Sequence, residues 1–147
     1  MEFKTRIPFV DMLGFELLRF DPGVAELAVD LREELTNSWG VAHGGVTMTL
    51  LDVAMAHAAR TPSPLGGELP AGGVVTIEMK TSFLRPGQGR LVATAKRLHR
   101  TASLAFCEGT VRDTAGVIVG HSTGTFKYLK GLPVGQGRRV QRLNASD

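Results

Sequence analysis

The sequence predicts one α+β domain that contains a β-hairpin, a single buried helix and an antiparallel meander of three or four strands. Two observations support this prediction. Residues 46–59 form an apolar run rich in Leu, Met and Ala, without Gly or Pro, which is typical of a helix buried on most sides. On both sides of this run, segments of alternating apolar and polar residues are separated by turn sequences, as expected of strands.

The residues before the helix predict the hairpin. Residues 3–13 mix apolar and charged positions and fit either a short helix or a strand that covers the core. Phe15–Phe20 and Val24–Leu31 alternate on either side of an Asp-Pro-Gly turn at 21–23, so they are predicted to pair with each other.

The residues after the helix predict the meander. A connection at 61–73 holds three prolines and four glycines, which end the helix. The alternating segments that follow are Val74–Leu84, Arg90–Leu98, Ser103–Arg112 and Val117–Leu129. In the first of them, strict alternation places Thr76 on one face and Ile77, Met79 and Phe83 on the other.

Length and composition narrow the functional class. At 147 residues, of which 43% are hydrophobic and 21% charged, the chain is long enough for one domain with an ordinary core. A net charge of +3 permits an anionic ligand but is too weak and dispersed to indicate nucleic-acid binding. The apolar run is shorter than the roughly 20 residues of a membrane span and carries a carboxylate, so no membrane insertion is expected.

The remaining features concern location and extent. A single cysteine fits a reducing compartment, and the first six residues lack the apolar core of a secretory signal, so a cytoplasmic location is expected. Residues 1–130 are expected to form the domain, and 131–147 a basic peripheral tail. No cofactor is expected, and no metal, because zinc-site spacing is absent among the carboxylates and the four histidines, which are His43, His57, His99 and His121.

The predicted helix carries one carboxylate, Asp52, among apolar neighbours. Desolvating a carboxylate is costly, so this residue requires either a hydrogen-bonding partner or a chemical role. The structural alternative is a buried acid that accepts hydrogen bonds from Thr47, Thr49 or a neighbouring loop. The chemical alternative is a general base or a nucleophile.

Two glycines, Gly44 and Gly45, stand where this helix begins. Glycine lets another group approach the backbone closely, and the first helical turn has unpaired N–H groups at the positive end of the dipole. Such an end suits an anion, or a carbonyl oxygen that becomes one during a reaction. The same glycines could also serve only close packing between helix and sheet.

The spacing of these groups indicates a dimer. Gly44 and Asp52 are eight residues apart, which corresponds to roughly 12 Å along a helix. A base and an oxyanion donor that act on one carbonyl must both lie within about 3 Å of the reacting atoms. Two antiparallel copies of the helix satisfy this requirement, because each N-terminus then faces the other copy's carboxylate.

The glycines and the carboxylate belong to a longer motif, which consists of Asn37, Gly40, His43, Gly44, Gly45 and Asp52. This motif resembles that of the hotdog-fold acyl-CoA thioesterases of the phenylacetate-pathway (PaaI-like) type. The resemblance extends from about residue 14 to residue 130. It implies a curved antiparallel sheet wrapped around one long central helix, a homodimer or a dimer-of-dimers tetramer, and active sites at the subunit interface.

The resemblance also implies roles for individual residues. It implies that the Gly44 N–H polarises the thioester carbonyl, with Asn37 assisting. Asp52 of the partner subunit would attack directly or deprotonate a water, and Thr76 would hold that water. His43 is also a catalytic candidate. We expect it to orient the helix start and not to act as a base.

Three further residues are predicted to contact the substrate. Gly45 would permit its close approach to the helix start, while Arg85 and Arg100, at predicted turns, would meet the phosphates of coenzyme A. Each arginine could equally be a solvated surface cation.

Two other functions remain open at this point. A hotdog hydratase or dehydratase would need a histidine against the acid, for which the partner's His43 is the candidate. A non-catalytic acyl-CoA-binding regulatory module would keep the pocket without turnover.

Overall fold

The computed structural model describes residues 1–61 and 73–129. Its elements are α1 (Pro8–Leu13), β1 (Glu16–Asp21), β2 (Val24–Asp30), a 3₁₀ turn (Glu33–Leu35), α2 (Gly44–Arg60), β3 (Val74–Phe83), β4 (Arg90–Arg100), β5 (Leu104–Arg112) and β6 (Ile118–Tyr128). The predicted basic tail and the Pro- and Gly-rich part of the predicted connection lie outside the described residues.

The six strands form one antiparallel sheet in the order β1-β2-β4-β5-β6-β3, and α2 packs against all of them. The predicted hairpin is β1–β2, and three of the four strands predicted after the helix form a meander, β4–β5–β6. The fourth, β3, does not continue this meander, because it pairs with β6 at the edge of the sheet and not with β4. The α+β prediction is therefore confirmed, and the uncertain segment at 3–13 contains a short helix, α1. This helix ends at Gly14, whose φ of 74° is the left-handed conformation that favours glycine.

Helix α2 is the centre of the core. Its buried residues are Val46, Thr47, Leu50, Leu51, Ala54, Met55, His57, Ala58 and Ala59. At its C-terminal end, Arg97 Nη1 donates to the carbonyls of Ala59 (3.1 Å) and Thr61 (2.6 Å), and Tyr128 Oη donates to the Ala59 carbonyl (2.7 Å). A cation at a helix C-terminus is electrostatically favourable, so these contacts from β4 and β6 fix the helix on the sheet.

Strand β3 departs from the predicted alternation. Its pairing with β6 shifts between Thr76 and Glu78, which leaves Ile77 as the extra residue of a β-bulge. Thr76 pairs with the fully buried Phe126, and Met79 packs against the core, so both face α2. The prediction that they lie on opposite faces is wrong, because the bulge changes the phase of the strand.

A buried histidine joins the C-terminal half of α2 to the N-terminal segment. The ring of His57 lies edge-on to Phe3 and Phe20, with centroids 5.3 and 5.6 Å away, and its Nδ1 is 2.8 Å from the Val53 carbonyl. Burial lowers the pKa of His57, the Val53 carbonyl opposes that shift, and the charge of Arg60 adds to it. The imidazole is therefore held neutral in the folded protein.

We expect this histidine to destabilise the protein in mild acid. Because the pKa of His57 is lower in the folded chain than its ordinary value of 6.5, protonation favours unfolding below about pH 6.5. Denaturant unfolding measured at about pH 8 and about pH 5 should show a larger loss of stability for the wild type than for His57→Phe, which keeps a ring but cannot titrate. Equal losses in the two proteins would contradict this assignment.

Candidate active site

The loop before α2 is shaped by Asn37. Its Oδ1 accepts hydrogen bonds from the N–H groups of Trp39 (2.9 Å) and Val41 (3.4 Å), and its main-chain N–H donates to the Val41 carbonyl (2.8 Å). Gly40 has a φ of 71°, which closes this turn in the left-handed region. Because Oδ1 is occupied, the Asn37 amide is free to donate from Nδ2, for which no described residue provides an acceptor.

His43 is the N-cap of α2. Its backbone is extended (φ −61°, ψ 136°), and its Nδ1 accepts a hydrogen bond from the Gly45 N–H at 2.9 Å. A side chain at Gly45 would crowd this ring, since a Cβ would lie 3.1 Å from Nδ1. The histidine thus satisfies one of the free donors of the first turn, as cap residues do.

The Gly44 N–H is left without an acceptor among the described residues. A Cβ at Gly44 would come within 3.3 Å of the Phe83 ring, so glycine lets the helix start pack closely against Phe83. The N–H also stands at the positive end of the α2 dipole. It can therefore stabilise a carbonyl oxygen that gains negative charge.

An open cleft of about 390 Å³ lies beside this N–H. The lining residues are Asn37, Trp39, Val41, Ala42, Gly44, Thr47, Phe83, Leu84, Arg85, Pro86, Gly87 and Val119. Most of these side chains are apolar, which suits an acyl group or another apolar part of a ligand.

Asp52 lies two turns further along the helix and is half-buried. Its Oδ1 accepts a hydrogen bond of 2.7 Å from Thr76 Oγ1 on β3. Thr49 donates instead to the Gly45 carbonyl, and Thr47 contacts no carboxylate, so the sequence-based alternative of a partner within the helix is wrong. The carboxylate and the hydroxyl together form a polar pair on a partly exposed face of α2.

The two predicted phosphate ligands lie far apart within one chain. Arg85 lines the cleft, and its Nη1 donates to the Ile118 carbonyl at the start of β6 (3.3 Å). Arg100 lies over the ring of Tyr128 at the end of β6, with Cζ 4.9 Å from the centroid. These ends are separated by roughly 30 Å along the strand, so one chain cannot bring both arginines to the same phosphate group.

Sequence reasoning missed the residues that shape the cleft. These residues are Trp39, which is 83% exposed, and Phe83 and Leu84, which are 54% and 53% exposed and also line the cleft. Three large apolar side chains exposed beside a helix start indicate a binding site. This indication is visible only in the folded chain, where residues 37–47, 83–87 and 119 come together.

Several other expectations concern groups away from this cleft. The single cysteine, Cys107, is buried on β5, and burial raises the pKa of its thiol to about 12, so this thiol is inert. Within 1–61 and 73–129, no cluster of His, Cys, Asp and Glu side chains could hold a metal ion. None of the helices in those two ranges is long and apolar enough to cross a membrane.

Comparison with known proteins identifies the family. The model of the thioesterase superfamily matches residues 40–119, which is more than half of the chain and includes the α2 start, Asp52 and Thr76. The chain belongs to the thioesterase superfamily. This membership confirms the hotdog arrangement and the enzyme class that the motif predicts.

Individual relatives agree with this family. The medium/long-chain acyl-CoA thioesterase YigI of Salmonella typhimurium is 28% identical over 137 residues, with 84% of this chain and 87% of that protein covered. A mutant structure of the phenylacetic acid degradation protein PaaI from Thermus thermophilus is 29% identical, with a TM-score of 0.73 over 84% of this chain and 100% of that one. A thioesterase family protein from Silicibacter pomeroyi is 26% identical, with a TM-score of 0.77 and coverages of 85% and 91%.

Proposed function

We propose that this protein hydrolyses an acyl- or aryl-acyl-CoA thioester to the free acid and coenzyme A. The observation that carries the proposal is the free Gly44 N–H beside an apolar cleft, on the same helix as Asp52, whose carboxylate accepts a hydrogen bond from Thr76 on β3. The curated relative YigI, an acyl-CoA thioesterase, supports coenzyme A as the leaving group. The single, buried cysteine fits a cytoplasmic enzyme.

In this mechanism the thioester oxygen accepts a hydrogen bond from the Gly44 N–H, with the Asn37 Nδ2 group assisting. Asp52 of the partner subunit removes a proton from a water molecule that Thr76 helps to hold. The water oxygen bonds to the carbonyl carbon, the carbon–sulfur bond then breaks, and the thiolate of coenzyme A leaves. Gly45 and the His43 cap keep the helix start in position, and Arg85 is available to the phosphates at the rim of the cleft.

The proposal includes a homodimer as the smallest active unit. Gly44 and Asp52 of one chain are separated by roughly 12 Å along α2, too far for both to act on one carbonyl. The ten-residue strand β3 is an edge of the sheet, with Ile77 54% exposed, and proteins seldom leave such an edge uncovered. A two-fold axis beside α2 and β3 would cover this edge and complete both active sites.

The two-fold arrangement predicts a cross-link. In a symmetric interface, if Gly44 faces the partner's Asp52, the position midway between them, Met48, faces its own copy. Met48 is 37% exposed in the single chain. We expect Met48→Cys to form an intersubunit disulfide under mild oxidation, seen as a dimer on a non-reducing gel.

The control for this cross-link is Leu98→Cys, a residue 55% exposed on β4, which lies between β2 and β5 and not at the proposed interface. Buried Cys107 does not compete, because its pKa is raised to about 12. A monomeric Met48→Cys protein, or equal cross-linking at both positions, would contradict the shared site.

The activity itself is tested with a panel of acyl-CoA thioesters and a reagent that detects free thiols. Thiol release supports hydrolysis. Loss of the enoyl chromophore without thiol release would indicate the hydratase alternative, and binding without either change would indicate a regulatory module. The family match favours neither alternative.

A further inference from the structure

A buried side chain in the cleft, Thr47, also has a polar group without a partner. Thr47 is 2% exposed, yet its hydroxyl makes no hydrogen bond with any described residue. Among the described residues, no fully enclosed side-chain N or O atom lacks a hydrogen-bond partner. The unpaired Thr47 hydroxyl is therefore not fully enclosed. Its small accessible surface therefore opens into the cleft that Thr47 lines.

The neighbouring threonine shows the usual alternative. Thr49 Oγ1 donates to the Gly45 carbonyl four residues earlier at 2.7 Å, as threonines in helices commonly do. The Thr47 hydroxyl makes no such bond to the His43 carbonyl, which accepts instead from the main-chain N–H groups of Val46 (2.9 Å) and Thr47 (3.3 Å). A buried hydroxyl without a partner lowers stability, so Thr47 lacks the structural reason that accounts for Thr49.

The orientation of Thr47 follows from its packing. Its Cγ2 methyl points at β6, where a Cβ added to Gly120 would lie 3.3 Å away. A β-branched side chain has few rotamers in a helix. Because the Thr47 methyl group points at the sheet, the Thr47 hydroxyl must point away from it. Side chains in a helix also tilt toward its N-terminus, which directs Thr47 back toward Gly44.

Gly44 and Thr47 are three residues apart, so they are neighbours on one face of α2. A carbonyl oxygen that accepts from the Gly44 N–H at about 2.9 Å is then within hydrogen-bond reach of the Thr47 hydroxyl as well. We propose that the Thr47 hydroxyl is a second donor of the oxyanion hole. This inference rests on the proposed thioesterase function, and it makes Thr47 a catalytic residue.

The test replaces the hydroxyl without changing the shape of the side chain. Thr47→Val should lower kcat roughly 10²-fold with little change in KM, since one oxyanion donor is typically worth 10²–10³. Thr47→Ser should retain kcat within about threefold, and the matched control Thr49→Val should do the same. The loss should be uniform across the acyl panel, because every substrate carries the same carbonyl oxygen.

Stability and spectroscopy separate catalysis from structure. Thr47→Val should have a Tm equal to or above that of the wild type, because it removes an unpaired buried hydroxyl. In the Asp52→Asn background, a bound acyl-CoA should show a smaller downshift of its thioester carbonyl stretch, measured by infrared difference spectroscopy, once Thr47 is replaced by Val.

Three outcomes would overturn the inference: wild-type kcat in Thr47→Val, a loss that depends on the acyl group, or an unchanged carbonyl stretch. If the wild type released no thiol from any acyl-CoA, the proposed function would fail. The infrared comparison would still report whether Thr47 contacts a bound carbonyl.

Discussion

Asp52→Asn is expected to lower kcat by at least about 10²-fold while acyl-CoA still binds, since a positioned general base contributes 10²–10⁴. Asn has nearly the same size and can still accept the 2.7 Å hydrogen bond from Thr76, so the fold should be retained. The measurement is steady-state hydrolysis of the best substrate of the panel, together with the Kd of a non-hydrolysable analogue. Turnover close to that of the wild type would exclude the proposed mechanism.

A single turnover in ¹⁸O-water identifies how Asp52 acts. A general base never bonds to the acyl group, so the label should enter only the released acid. A nucleophile would form a mixed anhydride, and its hydrolysis can leave the label in the Asp52 carboxylate. The bond from Thr76 places a hydroxyl where a water could be shared with the carboxylate, so we expect no label in the peptide that contains Asp52.

The helix and the relative positions of its candidate groups could be predicted because both are local. The apolar run, the glycines at its start and the isolated carboxylate all lie within 44–60, where a period of 3.6 residues fixes their relative positions. The helix geometry also gave the separation of Gly44 and Asp52, and hence the expectation of a dimer.

The environment of Asp52 could be predicted only in part. Thr76 was expected near the site, but strict alternation places it on the wrong face. The bulge at Ile77 lets Thr76 and Met79, which are three residues apart, both face α2, and a regular strand cannot do this. The bulge is a property of the pairing between β3 and β6, and the sequence of β3 alone does not determine that pairing.

The cleft could not be predicted, since it joins distant segments. Trp39 extends from a turn closed by Asn37, while Phe83 comes from the end of β3. The free hydroxyl of Thr47 is equally a property of the folded chain, because every helical threonine has the same local option of bonding to the preceding turn.

The largest gain of activity is expected from mixing two inactive variants. Gly44→Pro removes the N–H that we propose polarises the carbonyl, and proline is well tolerated at the first position of a helix. The extended backbone of His43 is also compatible with a following proline. Asp52→Asn removes the base. Each protein alone should be nearly inactive, because both of its sites carry the same defect.

In the proposed dimer with shared sites, a mixed dimer has one intact site, made from Gly44 of one chain and Asp52 of the other, and one site with both defects. Random exchange at equal concentrations makes half of the dimers mixed, so activity should return to roughly a quarter of the wild-type value. Two differently tagged chains, purified through both tags, should reach about half. Gly44→Ala, which keeps the N–H but adds a Cβ against Phe83, separates loss of the donor from crowding. A purified mixed dimer without activity would show that each site is built within a single chain.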